Sequence, residues 1–267
     1  MANRNQRVIA IAIVVVAAIA VGIGLFALGR AMTAPPSSGP TPAVTPTIAD
    51  PSPTYEPTNV DGSPEPALPQ GEAVAGKGGA KAGPTGLPLG YAHDETGAIS
   101  AATNYLIWMN SLRIANKSDA DAMATVAAAD VKTRKTLIES FDLLRSGMGD
   151  LTSDQPEPAR GAYAVAEYSS SRATVYIWSP EVTTTAAGQT DHVWSIDGVV
   201  VRWVNNDWKL DGGLITRSGA AAIDPVDPAG NPSAKEKNAI LHRTPADPGE
   251  ISDVADQSWH EYGNAPH

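Results

Sequence analysis

The chain has 267 residues, 42% of them apolar and 18% charged, with 22 prolines, 24 glycines and no cysteine. Lacking cysteine, it has no disulfide framework, thiolate metal site, iron–sulfur ligation or cysteine nucleophile. A formal charge of −10 with no basic block argues against nucleic acid as a partner.

Residues 1–7 carry Arg4 and Arg7, and Val8 to Leu28 follows without a charge. About 20 apolar residues cross a ~30 Å hydrocarbon core as a helix. A cleaved signal peptide has a shorter apolar stretch, of ~7–15 residues, and ends in a small-x-small site. Gly29-Arg30-Ala31-Met32-Thr33-Ala34 is not such a site. The expectation is an uncleaved transmembrane helix over 8–28, with the bilayer as its partner. After Arg30 no Lys or Arg occurs until Lys77. The positive-inside bias therefore places the N-terminus in the cytoplasm and the rest of the chain outside, as a single-pass cell-membrane protein.

Residues 29–85 read as a linker. Twelve of the 22 prolines fall between residues 33 and 85, among Ser, Thr, Gly and Ala. A segment of this composition buries too little apolar surface to offset its ordering entropy, so a disordered stalk is expected.

Periodicity begins at residue 86. Ala98, Ala102, Tyr105, Met109 and Leu112 step by four and three, one face of a helix that Asp94 can cap. Ser118 to Asp121 fits a capping pattern for a short second helix with Met123 and Val126 inward. Asp130 can cap a third, whose stripe is Leu137, Ile138, Phe141 and Leu144 and which Gly147 and Gly149 stop.

The period then changes to two. Ala162 to Tyr168 and Ala173 to Ser179 read as strands. In the second, Val175 and Ile177 lie on one face, and Tyr176 and Trp178 on the other. Thr183 to Asp191 reads as a loop, Val193 to Val204 as a longer strand with a bulge at Asp197-Gly198, and Asn205-Asn206 as the turn into Asp207 to Leu210. Residues 217–267 return to Pro, Asp, Gly and Ala with little apolar patterning and two weak helical patches, near 233–242 and 250–262, and an acidic, mostly disordered tail is expected. The expected ordered unit is 86–216, an α+β domain of three helices followed by a four-stranded antiparallel sheet.

That order, ending in the hairpin Val201-Arg202-Trp203-Val204-Asn205-Asn206-Asp207-Trp208-Lys209-Leu210, resembles the nuclear-transport-factor-two-like fold. The resemblance implies a cone-shaped domain with a curved sheet. The block Gly86 to His93, with Gly97-Ala98 and Ala101 to Tyr105, is similar to actinobacterial single-span membrane proteins of unknown function. The layout of anchor, Pro-rich stalk and one outer domain also resembles the inner-membrane assembly subunits of type IV secretion and conjugation channels. It implies a scaffold acting by protein–protein contacts.

Catalytic signals are weak. Asp191 and His192 are adjacent, which in a strand sends their side chains to opposite faces. His93-Asp94-Glu95 reads as the start of a helix, with the two acids at its positive end. The sequence has neither a Gly-x-Ser-x-Gly elbow nor a phosphate-binding glycine loop. The expectation is a non-enzyme with no cofactor or metal, an enzyme with a ligand in the cone being the reading ranked last. If Val175 and Ile177 face the helices, Tyr176 and Trp178 lie on the far side of the sheet, either packed, exposed, or covered by another subunit. With Arg202 they form the candidate interaction face, for other envelope proteins, for self-association, or alternatively for cell-wall polymer or peptide.

Overall fold

The computed structural model describes residues 63, 65–212, 215–216, 225–242 and 257–266, all within one compact unit, Pro57–His267. The expected transmembrane helix at 8–28 and the linker up to residue 62 lie outside the described residues. Among the described residues no helix is long and apolar enough to cross a membrane.

Capping residues set the helix starts. Asp94 Oδ1 accepts from the Gly97 N–H at 2.7 Å and opens α1, Glu95–Met109. This helix is buried nearly all round, from Gly97 to Met109, and runs through the middle of the domain. The chain then makes a 3-10 turn, Leu112–Ala115, and arrives extended at Asn116. Asn116 Oδ1 accepts from the amides of Ser118 and Asp119 at 3.0 and 3.3 Å and caps α2, Lys117–Ala127. The expected cap at Ser118 is thus displaced by two residues, because the preceding turn has already oriented Asn116. Asp130 caps α3, Val131–Gly147, through the Thr133 amide at 2.8 Å, and Leu137 and Phe141 are its buried stripe.

A two-residue ladder, β1 (Lys81–Ala82) with β2 (Pro88–Leu89), precedes α1. The main sheet is antiparallel and consists of β3 (Leu151–Pro156), β4 (Ala162–Tyr168), β5 (Arg172–Thr185), β6 (Thr190–Val204), β7 (Asp207–Leu210), β8 (Ile215–Thr216) and β9 (Trp259–His260). Its order is β7-β6-β5-β4-β9, with β3 on the far half of β5 and β8 on β6. The fold is α+β, helices followed by a curved antiparallel sheet.

Two sheet expectations are corrected. The β5–β6 hairpin keeps one register from Arg172↔Arg202 to Thr184↔Thr190, so Asp197-Gly198 is regular strand and not a bulge. The register shift lies in β4, between Val165 and Glu167. The expected loop at 183–191 is mostly strand, because Thr183, Thr184 and Thr185 pair with β3 on one side and Thr183 and Thr184 pair with β6 on the other. Asn205 and Asn206 form the β6–β7 turn with φ of 56° and 59°, the conformation a two-residue hairpin turn requires and Asn tolerates.

The domain is also wider than 86–216. Leu68 and Ala73, from the expected linker, are buried. From the expected tail, α4 (Ala234–Leu241) buries Ile240 and Leu241, β9 pairs with β4, and Trp259 and Tyr262 are almost wholly buried. These are isolated apolar residues in polar surroundings. Of these segments only the weak helical patch near 233–242 showed in the sequence, and it is α4; long-range contacts order the rest.

The sheet separates two apolar layers. Val175, Ile177, Val199 and Val201 face the helices and pack with Tyr105, Leu106, Met123, Leu137 and Phe141. On the other face Tyr176, Trp178, Trp194 and Ile196 pack beneath Leu68, Ile240, Leu241 and Trp259.

Candidate functional site: an aromatic platform with an acidic rim

The Tyr176–Trp178 face is not an open strip. Trp178 is fully buried, and its ring centroid lies 4.3 Å from that of Trp194. The segment 225–231 is fastened over this face by Trp194 Nε1, which donates to the Pro228 carbonyl at 3.0 Å, and by Arg160. Arg160 donates to Glu157 Oε2 at 2.8 Å and to the carbonyls of Pro228 and Gly230, with its guanidinium 5.6 Å from the Trp194 ring centre. Of the three alternatives for this face, packed, exposed or covered by another subunit, the structure shows it packed, with the cover supplied by this chain. Arg202 is not joined to those rings. Its guanidinium is held by Asp130 at 2.5 Å and Asp211 at 3.2 Å, where α3 begins.

The aromatic surface that does reach solvent lies at the other side of the sheet's hairpin end. Trp203, at the end of β6, shares a face with Val199 and Val201. The His93 ring stacks on it at 3.9 Å between centroids and 7° between planes. His93 is fixed from two directions. Its neighbour Asp94 caps α1, and its Nε2 donates to the Ser170 carbonyl in the β4–β5 turn at 2.6 Å. Trp208 lies underneath, its Nε1 donating to the Ala92 carbonyl at 2.9 Å. Its ring contacts Trp203 edge-on at 5.5 Å and Tyr168 at 6.3 Å. Asp207 braces the base, accepting from the amides of Gly90 and Tyr91 and from Lys209 Nζ.

Tyr168 is 41% exposed and extends the platform outward. Its phenol is raised above the ordinary tyrosine value, by loss of water first and then by the negative charges of Asp94 and Glu95. Tyr163 is raised likewise, by burial and then by Glu95 and Glu72 after its bond to the Ala73 backbone is offset. The Tyr168 ring is thus bordered by the exposed acids Asp94 and Glu95. Flat π faces beside carboxylates suit a cationic side chain, which is attracted by both.

The remaining polar candidates form no reactive pair. Asp191 is exposed, whereas His192 meets Arg160 Nη1 at 3.3 Å across the covered face, the separation expected of adjacent strand residues. Among the described residues no group of three or more His, Asp or Glu is placed to hold a metal ion. A shallow groove of about 450 Å³ runs between Pro156, Pro158, Arg160 and Pro266.

The sequence reading missed His93, Tyr168 and Trp203 as one surface. Each sits beside a cap or a turn, which is the available signal, but only the fold brings the three together.

Residues 31–231 match the domain of unknown function DUF8175. The chain belongs to that family. The matched region contains the whole platform and ends before α4 and β9, which complete the cover of the Trp178 face. No curated protein and no solved structure matches the chain.

Proposed function

We propose that this protein is a membrane-anchored extracytoplasmic scaffold, an assembly subunit of an envelope-spanning complex of the conjugation or secretion type. The apolar segment 8–28 tethers it, the Pro-rich segment spaces it from the bilayer, and a nuclear-transport-factor-two-like domain makes the contact. The order of helices before a curved antiparallel sheet supports that fold reading. The contact surface is the His93–Trp203–Tyr168 platform, and its partner presents an Arg- or Lys-bearing segment to the rings and to Asp94 and Glu95. The observation that carries this reading is the stacked His93–Trp203 pair beside exposed Tyr168 and its acidic rim. The Tyr176–Trp178 face is filled by the chain's own segments, which leaves no open ring surface there for a wall polymer.

The test is photo-crosslinking of the full-length protein in its own membrane. A crosslinking residue is placed at Tyr168 and, as a control, at Gln189 at the far end of the β5–β6 hairpin. The expected result is one envelope protein captured from position 168 through a basic segment, not captured from 189, and lost in Trp203→Ala while the domain stays folded. Equal capture from both positions, or capture that survives Trp203→Ala, overturns the reading.

A further inference from the structure

Past the apolar core, the helix-side face of the sheet turns polar. Asp154 pairs with Thr183, and Ile177 with Asp197. Residues two apart share a face, so Asp154, Glu181, Thr183, Thr185, Ser195 and Asp197 line the same side of β3, β5 and β6. Asp154, Thr183 and Asp197 are 8%, 5% and 4% exposed. Because Asp154 is opposite Thr183 and Pro156 opposite Glu181, Asp154 and Glu181 are diagonal neighbours on this face, within side-chain reach of each other. Two ionised carboxylates are acceptors only, so a hydrogen bond between these two neighbours requires a proton on one of them. Beside the pair, the buried hydroxyls of Thr183 and Thr185 and Asp154 Oδ1 have no hydrogen-bond partner.

Among the described residues the surrounding charges do not neutralise the pair. On β6, Asp197 accepts from Ser195 at 3.0 Å and adds negative charge, and Asp191, opposite Thr183, is a further acid at the rim. Arg113, in the 3-10 turn that packs on β3, is engaged with the Thr85 carbonyl. Arg145 of α3 is engaged with Asp142 at 2.6 Å and the Ile114 carbonyl at 3.0 Å. Arg160 is held by Glu157 and the 228–230 carbonyls on the covered face. Among the described residues neither Asp154 nor Glu181 has a Lys or Arg partner. Arg217, just beyond β8, lies outside them.

We propose that Asp154 and Glu181 form a proton-held latch: one shared proton keeps β3 seated on β5, and its loss loosens that strand pair. Burial raises both groups above the ordinary carboxyl range, and the charges of Asp154 and Asp197 raise Glu181 further. The sign follows by linkage. The folded state binds the proton more tightly than the unfolded chain, so the contribution is complete at low pH and is lost as pH rises through the raised values. The second negative charge then sits beside the first with, among the described residues, no Lys or Arg paired to either Asp154 or Glu181, and the repulsion falls on the Asp154–Thr183 pairing.

The experiment is amide hydrogen exchange of the full-length protein in detergent, corrected for intrinsic base catalysis, between about pH 5 and about pH 9. Protection of the Leu151–Gln155 amides is expected to fall by about tenfold or more over that range, while α1 amides hold. Glu181→Gln keeps a neutral hydrogen-bonding group and is expected to abolish the fall. A flat wild-type profile overturns the latch, as does a Glu181→Gln profile that follows the wild type. If that variant does not fold, carbon-13 titration of the wild-type side chains decides. Ordinary carboxyl titration of both Asp154 and Glu181 overturns the proposal, and titration of one of them well above it supports the latch.

Discussion

Lys237 donates to Glu261 Oε1 at 2.6 Å, and both side chains are withdrawn almost completely from water. The pair joins α4 to the residue that follows β9 and so ties the two C-terminal segments covering the Trp178 face. Desolvation lowers the Lys237 ammonium below its ordinary value, against the opposing pull of Glu261. The Glu261 amide donates to the Pro69 carbonyl, and Asn238 donates to Glu65, so the N-terminal strap 65–71 is held at the same point.

Removing one member of this pair leaves a buried charge alone. Glu261→Leu is expected to cost about 3–5 kcal/mol, whereas Lys237→Met with Glu261→Leu together should cost much less, since an apolar pair of similar volume needs no compensation. Urea unfolding of the three forms checks this. The double variant must be more stable than Glu261→Leu alone.

Trp178 is a core residue. Trp178→Ala is expected to destabilise the domain by about 3–5 kcal/mol through the cavity it leaves. The measurement is chemical denaturation with Trp203→Ala alongside. Trp203 is half-buried, so its truncation should cost less stability while abolishing capture from position 168. Gly161 gives an independent check on the same packing. A Cβ there would collide with the Trp178 carbonyl, so Gly161→Ala should also destabilise the fold without touching the platform.

Asp130 has two tasks, capping α3 and holding Arg202. Its carboxyl is lowered, by the Thr133 amide first and by Arg202 after it. A lowered carboxyl contributes stability that is present above the ordinary carboxyl value and lost as pH falls through the lowered one. Asp130→Ala should cost about 1 kcal/mol for the lost cap at neutral pH. The difference between wild-type and variant melting temperatures should shrink on acidification. A difference independent of pH would show that the carboxylate charge is not what stabilises α3.

The helical part of the domain was legible locally. Asp94 and Asp130 cap where their positions suggested, Leu137 and Phe141 are the buried stripe, and Asn205-Asn206 is the turn. These features depend on a residue and its neighbours within one turn. β3 was not legible, because Leu151-Thr-Ser-Asp-Gln-Pro156 shows no apolar alternation and is strand only because β5 offers an edge. The candidate site was legible in kind and not in place. The sequence offered aromatic residues on the sheet, of which Tyr176 and Trp178 pack inward while His93, Tyr168 and Trp203 converge from three separate elements.

Period and capping within the sequence determined that helices come first and strands after, and that β5 has a Val/Ile face and a Tyr/Trp face. Those preferences arise from the geometry of one element and are written in spacings of two, three and four residues. Tertiary structure alone decided what covers each face. Leu68, Trp259 and Tyr262 are single apolar residues in polar segments, and each gains its burial only when strands brought together from distant parts of the chain present a surface to receive it. That choice, made by long-range packing, closed the Tyr176–Trp178 face and left the His93–Trp203 platform open.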